Sequence, residues 1–169
     1  MRQLVVIAEE QERKMAEQYL PGIEVLVAGV GALNIMKSLR NVPLDTEIFN
    51  IGYAGSANFE IGTLVEVTES RLNHPNVTYP EPTFQLSTLN SQLLSTLNSQ
   101  LSTLNSKLST IKAPCYTGVD FCLQSDYKDC VFDMELAFIC GMGFEKVHAL
   151  KYVSDNLSLH DYRKVGAGV

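Results

Sequence analysis

The sequence lacks several features that would place a 169-residue chain in a broad class. It has no cluster of lysine and arginine and a net charge of −6, whereas sequence-independent nucleic-acid binding depends on concentrated positive charge. No run approaches the roughly 18 apolar residues of a membrane-spanning helix. The N-terminal segment is a short apolar strand followed by acids, without the longer apolar region of a signal peptide. We therefore expect a cytoplasmic protein that binds neither nucleic acid nor a membrane.

Metal-binding and disulfide patterns are also missing. The four cysteines include no C-x-x-C pair, and the three histidines are scattered along the chain. Zinc sites usually draw on closely spaced pairs of such ligands. We expect reduced, mostly buried thiols, with neither a metal ion nor a cofactor.

Apolar strands alternate with helix-favouring stretches through most of the chain. Strands are predicted at 4–8, 24–28, 46–56, 62–74 and about 146–153, and residues 115–123 are predicted to be a strand that enters a turn. Helices are predicted through residue 39 and at about 134–142. Residues 75–84 are predicted to be a proline-rich loop. The composition, 46 % hydrophobic and 19 % charged, is ordinary for a globular domain. Alternating strands and helices predict an α/β fold with a mainly parallel sheet.

Residues 86–111 contain a near-exact repeat of LSTLNSQ, interrupted by one extra leucine, Leu93. The repeated leucines that fall on one stripe of a helix are Leu94, Leu97, Leu101, Leu104 and Leu108. A coiled coil uses such a stripe, but serine, threonine and asparagine are poor helix formers and charges are almost absent here. We favour one amphipathic helix lying on the sheet, with a flexible segment as the alternative.

The sequence contains several short motifs. Glu12, Gly29–Gly31, Tyr53–Ser56, Phe121 and Asp155 fall at or just after predicted strand ends, which is where ligands bind in open α/β sheets. In chain order the motifs are A-x-x-x-E at 8–12, G-V-G-x-x-N at 29–34, N-x-G-x-A-G at 50–55, G-x-L-V-E-V-T at 62–68, T-G-x-x-F at 117–121, Met134-Glu135 and Ser154-Asp155. Each alone has an ordinary explanation, such as an N-cap or an acid near a helix start. Together, in this order, they resemble the nucleoside phosphorylase/nucleosidase superfamily, most closely the bacterial methylthioadenosine/S-adenosylhomocysteine nucleosidases.

The resemblance implies a single α/β domain over residues 1–169, with a mainly parallel or mixed central sheet flanked by helices. Relatives carry a further helix after Asp155, and we expect this chain to be shortened there. The resemblance also implies a homodimer, a small-molecule purine nucleoside as partner and a role in methionine salvage.

For catalysis, the resemblance implies two acids, Asp155 and Glu12. Cleavage of an N-glycosidic bond passes through an oxocarbenium-like sugar cation while negative charge builds on the departing purine. Asp155 corresponds to the acid that protonates the purine, and burial would raise its pKa toward the range this role needs. Glu12 corresponds to the base that activates the attacking water.

For binding, Glu135 corresponds to the carboxylate that accepts hydrogen bonds from the ribose hydroxyls, and Met134 packs against the sugar. Phe121 fits the position that stacks on the purine, and the backbone of Cys122 fits the contact to its edge. The remaining implied binding residues are Tyr53, Gly55 and Ser154. Tyr53 stands where the family has a small polar residue.

The leading hypothesis is a nucleosidase that hydrolyses a 5′-modified adenosine, and three alternatives stay open. A phosphorylase would need cationic or backbone donors for phosphate, and Arg40 and Arg71 are the only central arginines. A nucleoside-binding protein without catalysis is suggested by Tyr53. An assembly module would use the leucine repeat.

Overall fold

The computed structural model describes residues 1–72, 82–104 and 110–167. The strands in these residues are β1 (Gln3–Ile7), β2 (Glu24–Val27), β3 (Glu47–Gly55), β4 (Leu64–Leu72), β5 (Thr83–Gln85), β6 (Ile111–Thr117), β7 (Val131–Asp133) and β8 (Lys146–Asp155). The helices are α1 (Arg13–Tyr19), α2 (Ala32–Leu39), α3 (Ser91–Leu104), α4 (Leu136–Gly141) and α5 (Leu159–Ala167). The predicted α/β fold is confirmed.

The strands form one mixed sheet that partly closes on itself. β1 pairs in parallel with β2 and β3, and β3 pairs in parallel with β8. β8 then pairs with β4 in antiparallel orientation, β4 and β6 are parallel, and so are β6 and β7. Because β7 returns to β3 through an antiparallel pair, the strands β3, β8, β4, β6 and β7 form a closed ring.

Helices cover both faces of the sheet and bury its apolar side chains. Ile35 of α2 and Ile139 of α4 lie in one apolar cluster, and Ala16 of α1 lies in a second. The strands β3 and β8 are buried along nearly their whole length, which is typical of strands covered on both faces. Their carboxyl ends lie side by side, with Gly55 of β3 opposite Asp155 of β8. Two of the best-buried strands in the described part of the chain therefore end side by side at one edge of the sheet.

The stretch 131–142 differs from the predicted helix at 134–142. Val131–Asp133 is a short strand between β6 and β3, and α4 begins only at Leu136. Apart from Asp133 and Glu135 the run is apolar, so periodicity does not separate a buried strand from a buried helix. The Asp133-Met134-Glu135 segment is therefore the turn between a strand and a helix.

The predicted proline-rich loop at 75–84 is wrong at its end, because Thr83–Gln85 forms β5 against the edge of β4. Residues 75–81 of that prediction, and residues 73–74 of the strand predicted at 62–74, lie outside the described residues.

The expectation of a missing C-terminal helix is also wrong. Helix α5 follows β8 after a short turn, and Ser158 caps its start, since Ser158 Oγ accepts from Asp161 N at 3.3 Å. A serine followed three residues later by an acid is a known helix-start pattern, and it was overlooked in this segment. Helix α5 packs on the end of β8, beside the pocket described below.

Helix α3 occupies residues 91–104 of the leucine repeat. It begins after Asn90, whose Oδ1 accepts a hydrogen bond from Leu93 N at 2.8 Å. Leu93 and Leu94 of its first turn are partly buried against the cluster that contains Ala16. Residues 86–90 are not helical, and 105–109 lie outside the described residues.

The thiols are unpaired, as expected. Cys115 and Cys130 are buried, while Cys122 and Cys140 are partly exposed, so the burial is less complete than predicted. Within residues 1–72, 82–104 and 110–167, no helix is both long and apolar enough to cross a membrane.

Candidate active site

One pocket lies at the carboxyl ends of β1, β3 and β8, and every residue predicted for the site lines it. These residues are Glu12, Tyr53, Gly55, Phe121, Cys122, Met134, Glu135, Ser154 and Asp155. Motifs spread over almost the whole chain therefore meet at one edge of the sheet, as the position of ligand sites in such sheets predicts. Their individual roles are taken up below.

Glu12 is held rigidly at the floor of the pocket. A single 3-10 turn after β1 (Glu10–Glu12) folds its side chain back over the strand end. Its Oε2 accepts from Ala8 N at 2.8 Å and Glu9 N at 3.0 Å, and its Oε1 accepts from Tyr53 N at 2.9 Å. Burial raises the pKa of Glu12, although these N–H groups oppose the rise. The carboxyl is fixed in direction and more basic than an exposed glutamate.

Two glycines of the N-x-G-x-A-G motif let the acids approach strand β3. A Cβ on Gly52 would lie 2.8 Å from Glu12 Oε1, and a Cβ on Gly55 would lie 2.8 Å from Asp155 Oδ1. Both distances are far shorter than a van der Waals contact. The glycine spacing is therefore a steric requirement of the two carboxyl positions.

Asp155 ends β8 and is almost fully buried. Its Oδ2 accepts from Ser154 Oγ at 2.7 Å, and its Oδ1 accepts from Leu157 N at 2.9 Å and Ser158 N at 3.3 Å. Burial raises the pKa of Asp155 in spite of these hydrogen bonds. The raised pKa suits a group that must hold a proton before donating it.

Glu135 lies in the turn between β7 and α4. Its Oε1 accepts from Gly31 N at 3.3 Å and its Oε2 accepts from Met134 N at 3.2 Å. Burial, with a further contribution from the negative charge of Asp133, raises the pKa of Glu135 to about 7. The G-V-G turn therefore supports a carboxylate from a distant part of the chain.

Close to Glu135 lies a buried ion pair between Asp133 and Lys151. Lys151 Nζ lies 2.8 Å from Asp133 Oδ2, and the two side chains are 1 % and 0 % exposed. Asp133 also accepts from Thr117 Oγ1 at 2.5 Å and from Leu136 N at 2.9 Å. Burial alone would raise the pKa of Asp133, but the Lys151 ammonium outweighs it and the pKa is lowered. Sequence reasoning missed this pair, although a lysine inside the apolar run of β8 was a visible signal.

Aromatic rings form a wall of the pocket. The Phe121 and Tyr162 ring centroids are 5.5 Å apart in an edge-to-face arrangement, and those of Tyr53 and Tyr162 are 6.4 Å apart. Tyr162 was missed because α5 was not predicted. Tyr53 lines the pocket with its side chain while its backbone N–H holds Glu12, so its ring does not displace that acid. The described residues that line the pocket include no lysine or arginine.

The fold is that of the nucleoside phosphorylases and nucleosidases, as the sequence resemblance implied. Similar solved structures include methylthioadenosine/S-adenosylhomocysteine nucleosidases. By sequence, no protein-family model and no curated protein matches the chain.

The structural similarity covers nearly the whole chain. A nucleosidase from Colwellia psychrerythraea 34H, solved with adenine, matches with a TM-score of 0.75 and 16 % identity over 98 % of this chain and 88 % of that one. The enzyme from Neisseria meningitidis, solved with methylthio-immucillin-A, has a TM-score of 0.70 and 16 % identity over 99 % and 94 %. The enzyme from S. pneumoniae, solved with a transition-state inhibitor, has a TM-score of 0.68 and 18 % identity over 99 % and 91 %.

Proposed function

We propose that the protein is a purine nucleosidase that hydrolyses the N-glycosidic bond of a 5′-modified adenosine, of the methylthioadenosine/S-adenosylhomocysteine type, and releases adenine. The observation that carries the proposal is the meeting of Glu12, Glu135 and Asp155 with Phe121 in one pocket. The three acids have different environments. In a site with several carboxyl groups, different environments give different pKa values and therefore allow different catalytic roles.

Asp155 is the proposed general acid. A purine stacked on Phe121 would be protonated by the Asp155 carboxyl, whose orientation is set by Ser154 and by two backbone N–H groups. As the bond from the sugar to the purine breaks, this proton neutralises the charge on the leaving base. Burial supports the role, because it raises the fraction of protonated acid near neutral pH.

Glu135 and Glu12 are proposed to act on the sugar and on the water. Glu135 accepts from the 2′ and 3′ hydroxyls, and its negative charge stabilises the cationic ribosyl transition state. Glu12 removes a proton from the water that attacks the anomeric carbon. Its three backbone N–H partners hold the carboxylate in place, which limits the orientational freedom lost in the reaction.

A phosphorylase of the same fold is the competing function. Phosphate would need positive charge or several backbone donors close to the sugar. The described pocket residues include no lysine or arginine, and Arg71, which forms an ion pair with Glu69 on β4, does not line the pocket. Hydrolysis is therefore the better supported reaction.

The test is release of free adenine from methylthioadenosine in phosphate-free buffer, for the wild type and for Asp155→Asn. We expect hydrolysis by the wild type and a loss of about 10²- to 10⁴-fold in kcat for the variant, the usual range for a general acid. Turnover only after phosphate is added would identify a phosphorylase. Nucleoside binding without turnover under either condition would identify a binding protein.

We also propose that the active form is a homodimer. Exposed apolar side chains of α2 and of the segment after β6 flank the pocket, and a second copy would cover them. These side chains are Val30, Leu33, Met36, Val119 and Leu123. Exposed apolar side chains that gather beside a site are typical of protein interfaces.

A further inference from the structure

One wall of the pocket carries polar groups that the proposed catalytic steps do not use. Tyr162 Oη donates to Glu9 Oε2 at 2.6 Å, and Gln11 Nε2 donates to the same oxygen at 2.6 Å. Gln11 Nε2 also lies 3.3 Å from Tyr162 Oη. Glu9 and Tyr162 line the pocket, and all three residues are half-buried. We call Glu9, Gln11 and Tyr162 the Glu9 cluster.

The stereochemistry of a nucleoside places its 5′ carbon toward the Glu9 cluster. In a β-nucleoside, the base and the 5′ carbon project from one face of the ribose, and the 2′ and 3′ hydroxyls project from the other. Glu12 and Glu135 are assigned to the hydroxyl face, while Phe121 and Asp155 are assigned to the base. The Tyr162 ring contacts Phe121 edge to face and its hydroxyl bonds the Glu9 carboxylate, so with these assignments the two side chains lie next to the base and on the face of the sugar that carries the 5′ carbon.

The chemistry of the Glu9 cluster suits a hydrogen-bond donor. An apolar group placed against a carboxylate and a phenol would displace their water without replacing its hydrogen bonds. A carboxylate can accept more hydrogen bonds than the two that Glu9 Oε2 receives. Burial, and to a smaller extent the hydrogen bond to Glu9, raises the pKa of Tyr162. The phenol therefore stays protonated, and its oxygen can still accept a hydrogen bond from a ligand.

We infer that the Glu9 cluster determines specificity at the 5′ position and selects substituents that carry a hydrogen-bond donor, a hydroxyl or an ammonium group, over apolar ones. The inference rests on the proposed nucleoside site. It adds a recognition element for the 5′ substituent, carried by a glutamate and a tyrosine 153 residues apart in the sequence.

The experiment compares four nucleosides for hydrolysis and, in parallel, for equilibrium binding. Adenosine and 5′-deoxyadenosine differ only in the 5′ hydroxyl. S-adenosylhomocysteine carries an ammonium group that methylthioadenosine lacks. We expect a preference of about 10- to 100-fold in kcat/KM or Kd for the donor-bearing member of at least one pair, the usual range for a hydrogen bond to a charged group. The pair that shows the preference identifies the hydroxyl or the ammonium as the recognised donor.

Two variants assign the preference to the Glu9 cluster. Tyr162→Phe keeps the ring and removes the hydroxyl, and Glu9→Gln keeps the shape and removes the charge. Both should bring the donor preference, taken as the ratio of kcat/KM or of Kd within each pair of nucleosides, close to 1. Glu10→Gln is the matched control, because Glu10 lies on the same turn, is exposed and pairs with Arg13 instead.

The two readouts separate this inference from the proposed function. Hydrolysis with no donor preference, or a preference that both variants leave intact, overturns the inference and leaves the nucleosidase proposal standing. A donor preference in binding without hydrolysis of any nucleoside supports the inference and overturns the hydrolase. Absence of both binding and hydrolysis overturns both.

Discussion

Glu135 gives the clearest pH dependence at the scale of single residues. Its pKa is about 7 in the folded protein, against 4.5 for an ordinary glutamate, because it is buried beside Asp133. A raised folded pKa favours the folded state at low pH, and this contribution is lost as the pH rises from about 4.5 through about 7. At pH 8 the ionised side chain therefore destabilises the fold, by roughly 3 kcal/mol at 1.36 kcal/mol per pKa unit.

Glu135→Gln should remove this penalty. We expect the variant to unfold with a higher free energy than the wild type at pH 8, and the difference should shrink toward zero near pH 4. Urea unfolding at intervals between pH 4 and pH 8 measures it. Glu17→Gln, at an exposed position of α1, is the control for loss of one charge. A difference that does not vary with pH would contradict the raised pKa.

Gly52 tests how closely Glu12 must approach strand β3. In Gly52→Ala, the added Cβ would lie 2.8 Å from Glu12 Oε1, so the carboxyl must move away from its backbone donors. A misplacement of a catalytic group by about 1 Å can cost on the order of 10²-fold in rate. We expect kcat for the proposed hydrolysis to fall by about that factor, with a smaller change in KM.

The control for that substitution is Gly141→Ala, at the end of α4. There the nearest atom to an added Cβ is Phe84 Cζ at 3.9 Å, an ordinary contact. Alanine in a helix stabilises by roughly 0.4–1 kcal/mol relative to glycine where the backbone allows it. Full activity in Gly52→Ala would show that the position of Glu12 tolerates a shift.

At the scale of elements, the leucine repeat is informative because nearly identical copies differ in structure. Residues 86–90 of the first copy are not helical, whereas the second copy, residues 94–100, lies within α3. The Asn90 side chain accepts from Leu93 N and caps α3, and the first turn of the helix packs on the core through Leu93 and Leu94. Serine, threonine and asparagine contribute little helix propensity, so the cap and this contact carry much of the stability of the helix start.

Asn90→Ala should therefore destabilise the protein by about 1 kcal/mol, the usual value of an N-cap. For a chain of this length, that corresponds to a decrease in Tm of about 2–4 °C, measurable by calorimetry. Asn90→Ser keeps an oxygen that can cap and should recover most of the loss. Equal Tm values for all three proteins would mean that the cap contributes nothing to stability.

Helix α5 is short, but it contributes the side chain of Tyr162 to the pocket. Its start is set by a local signal at Ser158, but its importance comes from Tyr162, which meets Phe121 and Glu9 across the pocket. The local signal predicts a helix. The side chains that Tyr162 meets are set by the packing of α5 against β8.

At the scale of the whole molecule, the exposed apolar side chains beside the pocket predict assembly. Leu33 is 80 % exposed and Met36 is 55 % exposed on α2. If a second copy covers them, Leu33→Glu should place a charge in the interface and shift the protein toward monomer, as measured by light scattering after gel filtration.

Leu44→Glu is the control for that experiment. Leu44 is 52 % exposed, but it precedes β3 and so lies at the opposite end of the strand from the pocket. It should leave the oligomeric state unchanged. A monomeric wild-type protein would contradict the proposed dimer.

The sequence alone determined the α/β class, most strand positions and part of the pocket lining, from which Glu9, Asp133 and Tyr162 were missing. Strand positions follow from local apolar runs, which depend on neighbouring residues only. The convergence of Glu12 and Asp155 was predictable because both follow predicted strands, and parallel strands bring their carboxyl ends to one edge. The place of Glu135 followed only from the family resemblance, because β7 was not predicted.

The tertiary structure decided which distant groups meet. β7 has only three residues and is a strand because β6 and β3 supply its hydrogen-bond partners. Lys151 is tolerated in a buried strand because Asp133 pairs with it, and Glu9 is joined to Tyr162 across the pocket. Pairings of this kind depend on the packing of separate elements, and burial then sets the pKa values on which the proposed chemistry depends.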